Sequence, residues 1–188
     1  MTLADGKRKV YMLLDEYSSG GSVTKDDDIE KKMADFFDTA QKDIANYKRM
    51  IKNTTIELTG QGADGMAFYD LPENFAGIFR IWKNGRTSSR YAVIGGKLAV
   101  PAGERGAVLL EYFAVPETIT MDTPDTYVFE VSEDAANCLP FYVAAQHLMP
   151  DLVVDYSAFW NTYLTMRAAL DVTLPTGGTV SVRQSLFR

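Results

Sequence analysis

The sequence predicts an α+β fold: a helical bundle built from N- and C-terminal helical hairpins, with an antiparallel β-sandwich or small barrel inserted between them. Three observations carry it. Between residues 28 and 52, Met33, Phe37, Ala40, Ile44, Tyr47 and Ile51 recur at helical spacing, with Ile29 and Phe36 widening the face. Leu152, Tyr156, Phe159, Tyr163, Met166 and Leu170 repeat that rhythm near the other end. Between the two seams lie short β-prone runs punctuated by Gly, Pro and Asn. Two amphipathic seams far apart in sequence need a common core, and the β region must form its own.

The first helix is expected over Leu3–Tyr17, with Thr2 as N-cap and Leu3, Val10, Leu14 and Tyr17 on one face. Ser18-Ser19-Gly20-Gly21-Ser22 breaks it. Thr24 followed by Asp27 resembles a capping box, and Asp26, Asp27 and Asp28 suit the positive end of a helix dipole. The second helix should start near Lys25 to Asp27 and stop before Thr54.

Strands are expected at Thr55–Leu58, Met66–Tyr69, Gly77–Lys83, Arg90–Ile94, Lys97–Val100, Val108–Val115 and Tyr127–Val131. Asn84-Gly85, Gly95-Gly96, Pro101-Ala102-Gly103 and Thr123-Pro124-Asp125 are turns, and Ile94-Gly95-Gly96-Lys97 is the clearest hairpin. Ser132 is the N-cap of the next helix, with Glu133 and Asp134 in its first turn. Pro140 demands a kink or a fresh helix start near Leu139. Pro150 separates this helix from the last. The units are therefore a helical hairpin over 1–53, an inserted β domain over 54–131, a second helical hairpin over 132–171, and a tail or arm over 172–188.

With 188 residues, such a chain can bury a core without staples. The single cysteine, Cys138, excludes an intramolecular disulfide framework, and no Cys or His cluster has zinc spacing. No apolar run reaches the length of a signal peptide or a membrane span, so a soluble intracellular product is expected. Net charge is −6, with residues 1–52 balanced and 53–188 holding the acidic excess. Sequence-independent gripping of DNA phosphates is thereby disfavoured.

Candidate chemistry is thin. Gly60-Gln61-Gly62-Ala63-Asp64-Gly65 has the spacing of a dinucleotide-binding loop, but Met66–Leu71 reads as strand where that motif needs a helix. Asp26-Asp27-Asp28-Ile29-Glu30 lacks the glycine a calcium loop turns on and reads as a solvated helix start. His147 is the only histidine, so any histidine-based mechanism must use it, together with Cys138 or with Asp151 and Asp155. A structural histidine, a core cysteine and dipole-compensating aspartates explain the same residues, so no catalytic, metal or cofactor site is expected. The many aromatics, among them Phe79, Trp82, Phe141, Tyr142, Phe159, Trp160 and Tyr163, serve the core unless adjacent rings are left exposed.

The helical pair with Leu13-Leu14-Asp15-Glu16-Tyr17 and its acidic second helix start, the β insert, and the run Val131-Ser132-Glu133-Asp134-Ala135-Ala136-Asn137-Cys138-Leu139-Pro140-Phe141-Tyr142-Val143-Ala144-Ala145 before an aromatic-rich last helix together resemble a known family. It is the head–tail connector family of tailed bacteriophages, the adaptor or head-completion proteins that dock under the portal. The resemblance covers most of the chain. It implies a non-enzymatic structural protein of the virion neck, made in the host cytoplasm. Such a protein forms a dodecameric ring with itself, contacts the portal protein and a tail or stopper protein, and lets DNA pass without specific binding. No membrane and no cofactor are implied. By the same resemblance Leu174, Val180, Val182, Leu186 and Phe187 would be assembly contacts of a C-terminal arm, whereas the residues alone equally allow an edge strand on the β insert. An alternative from the residues is a β-sandwich module binding glycan or peptide on Tyr69, Phe79, Trp82 or Tyr91.

Overall fold

The computed structural model describes residues 1–15, 27–150 and 155–170. Helices α1 (Leu3–Asp15) and α2 (Asp27–Tyr47) lead into seven strands, β1 (Ile51–Thr59), β2 (Met66–Asp70), β3 (Phe75–Lys83), β4 (Arg86–Thr87), β5 (Ala92–Ile94), β6 (Lys97–Pro101) and β7 (Arg105–Ala114). Helices α3 (Glu133–Ala136), α4 (Leu139–Leu148) and α5 (Ser157–Ala168) follow. The fold is thus α+β, with two antiparallel sheets in the order β1-β7-β3-β4 and β2-β6-β5. Among the described residues no helix is long and apolar enough to cross a membrane.

Local chemistry accounts for the ends of the elements. Thr2 and Asp5 form a reciprocal cap on α1: the Asp5 N–H donates to Thr2 Oγ1 at 3.2 Å, and the Thr2 N–H donates to Asp5 Oδ2 at 3.2 Å. The Thr2 hydroxyl, donating to Asp5 Oδ2 at 2.8 Å, and then the Thr2 N–H hold the Asp5 carboxyl below its usual range. Both Asn84-Gly85 and Gly95-Gly96 close two-residue hairpins, with all four residues at positive φ and the flanking pairs Lys83–Arg86 and Ile94–Lys97 in register. Pro140 falls in the first turn of α4, where its missing N–H costs nothing, so a fresh helix starts at Leu139. Ser132 stands at the N-cap of α3 but makes no side-chain cap; its hydroxyl instead serves the Asp134 carboxylate.

Two expectations are corrected. α2 ends at Tyr47, and Ile51, placed on its apolar seam by spacing, opens β1 and is 45% exposed. The β-branched run Thr54-Thr55-Ile56 draws the chain into the ladder with β7 instead. Tyr127–Val131 forms no strand; only Val128 pairs, with Thr2, while Phe129 is buried against Phe37 at 5.2 Å between ring centroids. This segment is held by side chains on α2 rather than by a ladder. Tyr17, Leu152 and the tail residues Leu174, Val180, Val182, Leu186 and Phe187 lie outside the described residues.

Two large apolar clusters organise the molecule, with a smaller third around Ala144, Ala145 and Phe159. One gathers Leu3 and Val10 of α1, Met33, Phe37, Ala40 and Ile44 of α2, and Leu139, Val143, Tyr163 and Leu170 from the C-terminal helices. The other joins both sheets through Leu58, Ile81, Leu98, Val100, Val108, Leu110 and Tyr112. Irregularities in the β3–β7 ladder, between Phe75 and Gly77 and between Ile78 and Arg80, matter for the surface. They let Ile78 and Ile81, an odd number of residues apart, both join the inner cluster, opposite Tyr112 and Leu110.

Candidate functional site

The sequence motifs do not converge. The Gly60–Gly65 loop runs into β2, with no helix to cradle a phosphate. Its glycines answer to packing: a Cβ on Gly62 would lie 2.3 Å from the Met66 carbonyl oxygen. Cys138 is buried, and burial pushes its thiol up, away from the reactive thiolate. His147 sits in the last turn of α4, so most of a ten-residue helix, roughly 13 Å of rise, separates it from Cys138. It lines a shallow depression with Lys32 and Phe36. The Ser157 hydroxyl first, and then the Ser157 N–H at 2.9 Å, lower the Asp155 carboxyl and explain it as a turn residue before α5. Asp26 and Asp151 lie outside the described residues; among the described residues no group of three His, Cys, Asp or Glu is placed to hold a metal.

Three polar constellations do form, and none was visible as a motif. The first is built on α2. Gln41, fully buried, donates through Nε2 to the Glu117 carbonyl at 3.2 Å and accepts the Glu130 N–H at 2.8 Å. One turn away Asp38 accepts the Ile119 N–H at 3.0 Å and pairs with Lys42 at 2.7 Å. Glu130 in turn takes the Lys52 ammonium at 2.5 Å and the Glu117 N–H at 2.7 Å. The chain leaving the sheets is thus fastened to α2 at both of its ends.

The second links α5 to α2. The Tyr163 hydroxyl donates to Asp43, whose carboxylate also meets Arg167 Nε at 2.9 Å, and Arg167 lies over the Tyr47 ring at 4.3 Å. Burial first, and then the hydrogen bond to Asp43, raise the Tyr163 phenol, so it holds its proton at neutral pH. That suits a structural tie and not a general base.

The third is on the surface. Val108, Leu110, Tyr112 and Ala114 of β7 point inward, which turns Leu109, Glu111 and Phe113 to the other face. Opposite them stand Trp82, Arg80 and Gly77. Arg49, just beyond α2, covers the Phe113 ring at 4.7 Å; Phe79 meets Phe113 at 5.5 Å; and Arg80 lies 5.0 Å from the Phe79 ring and 5.2 Å from that of Trp82. The indole Nε1 of Trp82 has no hydrogen-bond partner among the described residues. Beside this stripe a cavity of about 410 Å³ opens between α2 and β7, walled by Arg49, Met50, Ala76, Phe113 and Val115. Of the aromatics expected to form a platform, Phe79 and Trp82 share this face, whereas Tyr91 is buried and the Tyr69 hydroxyl is bonded by the Thr59 N–H at 3.0 Å. Arg49, Arg80 and Phe113 were missed; the one available signal was the outward register of β7.

The arrangement offers guanidinium donors on aromatic supports beside a largely apolar cavity. No family model matches the chain, and no curated protein was found to match it.

Proposed function

We propose that this chain is a structural subunit of a bacteriophage neck, forming a ring beneath the portal that joins capsid to tail and continues the DNA channel. The finer architecture belongs to the same reading: a helical bundle made by the N- and C-terminal hairpins, with the β domain inserted between them. The observation that carries it is the large apolar cluster drawn from α1, α2, α4 and α5, with the strands gathered on a core of their own. A ring subunit needs such a rigid frame and lateral surfaces rather than a catalytic pocket. The acidic balance supports it further, because a negatively charged channel repels DNA phosphates and lets the duplex slide. Electron microscopy of the full chain mixed with the portal protein of its phage tests the proposal. Rings stacked on the portal are expected, and a chain that never binds the portal overturns it.

The second reading, a glycan- or peptide-binding module, draws on Phe79 and Trp82 sharing one sheet face. Guanidiniums already occupy the ring faces that a sugar would stack on, which favours the first reading. Glycan and peptide arrays probed with the full chain separate the two.

A further inference from the structure

Residues 115–134 carry Glu117, Asp122, Asp125, Glu130, Glu133 and Asp134 and no Lys, Arg or His. Several of these carboxylates are used at home: Asp125 pairs with Lys7 at 2.7 Å, Glu130 with Lys52, and Asp134 with Lys48 at 2.9 Å. Asp122 makes no ion pair among the described residues, and it adjoins Met121, which is 64% exposed. The two sit on a fixed turn, closed by the Thr123 N–H to the Thr120 carbonyl at 3.1 Å and by the Thr120 N–H to Thr123 Oγ1 at 2.9 Å. An apolar side chain and an unpaired carboxylate are thus presented together on a rigid projection.

The cavity between α2 and β7 is the complement. Its walls are largely apolar, with Asn46 as a polar exception, and it is roomy enough for a methionine side chain; Arg49 on its rim is exposed and makes no ion pair among the described residues. Lys42, the other cation there, is engaged by Asp38. A guanidinium stacked on a ring keeps its N–H edge for a carboxylate, which is the partner it selects. Neither Met121 nor Asp122 is among the walls of its own cavity, and both stand exposed.

We propose that Met121 and Asp122 of one copy dock into the Arg49–Phe113 cavity of a second copy. Projection and cavity are different patches, so the contact is head-to-tail and propagates until the rotation per copy closes a circle. The inference rests on the ring reading above and names its lateral contact.

Sedimentation of the full chain from micromolar to millimolar concentration tests it. The wild type is expected to associate beyond a dimer. Arg49→Glu and Asp122→Lys, both at exposed positions, should each weaken association by roughly tenfold or more, because like charges then face each other. The double variant Arg49→Glu/Asp122→Lys should regain it, because the pair is reversed and not removed. Met121→Ala should weaken association without altering its salt dependence. A wild type that stays monomeric throughout, single variants that associate like the wild type, or a double variant no better than the singles overturns the contact. Portal capture of the same proteins is scored separately. Capture with association indifferent to the charge variants refutes this contact and leaves the neck reading standing, and the reverse pattern refutes the neck reading alone.

Discussion

The side-chain oxygen of Gln41 accepts the backbone N–H of Glu130 at 2.8 Å, across 89 positions of sequence and inside a site closed to solvent. The amide has only one workable orientation, since its Nε2 must donate to the Glu117 carbonyl at 3.2 Å. Tyr127 completes the set, its hydroxyl 3.1 Å from Nε2. Gln41→Leu leaves the Glu130 N–H and the Glu117 carbonyl without their buried partner, so urea denaturation should report a loss of about 1–3 kcal/mol. A loss within error of zero would mean that water or local opening satisfies those groups.

Tyr163→Phe keeps the ring in the core but removes the donor to Asp43, leaving that carboxylate to Arg167. The expected cost near neutral pH is about 2 kcal/mol, in the range of hydrogen bonds to charged groups. The raised phenol adds an alkaline signature. Above the unfolded tyrosine value the unfolded chain ionises while native Tyr163 keeps its proton, so stability falls as pH rises there. Stability curves from pH 8 to 11 should fall less steeply in the Tyr163→Phe protein than in the wild type.

Asp134 is lowered to about 2, first by the Ser132 hydroxyl and then by Lys48. The unfolded carboxyl binds its proton at higher pH than the native one, so this contribution is fully present above the unfolded aspartate value and is lost as pH falls through the native one. Denaturant midpoints from pH 2 to 6 should rise with pH across the lower half of that window. In Ser132→Ala the rise should be smaller, with the plateau near neutral pH lowered to match.

Gly62→Ala places a methyl group against the Met66 carbonyl, a backbone atom that cannot swing aside. The loop before β2 must move, and a loss of about 1–3 kcal/mol is expected in a thermal melt. Gly65→Ala meets open space and carries only the penalty of its positive φ, so it should be the milder change. Equal effects would show that the loop yields freely at both positions.

The parts of this molecule that were legible in sequence are those decided locally. Asn84-Gly85 and Gly95-Gly96 announce their hairpins because few other residues tolerate those dihedrals, and Pro140 announces a helix start for a similar reason. The end of α2 was misread because Ile51 keeps the helical rhythm, while the strand it joins is chosen by β7, more than 50 residues later. Tyr127–Val131 has strand composition but spends it on α2, through Phe129 against Phe37 and Glu130 beneath Gln41. Gln41, Asp43 and Arg49 carried no signal at all. Each is an ordinary polar residue on or just beyond a helix until a partner far along the chain arrives, and Arg49 meets Phe113 only once β7 is in register.

The pairing of Thr2 with Val128, and of the Met1 carbonyl with the Phe129 N–H at 3.3 Å, sets an order of events on the ribosome. The strands from 51 to 114 can find one another soon after they emerge, since every ladder lies within that stretch. The first two helices cannot finish until residues 125–170 have been made, and meanwhile Val10, Phe37 and Ile44 lack the Leu139, Val143 and Tyr163 side of their core. Slow closure of such long-range contacts leaves an apolar half-core waiting in the cell. A nascent chain stalled near residue 115 should therefore recruit chaperones through α1 and α2, while its β region is already protected from proteolysis.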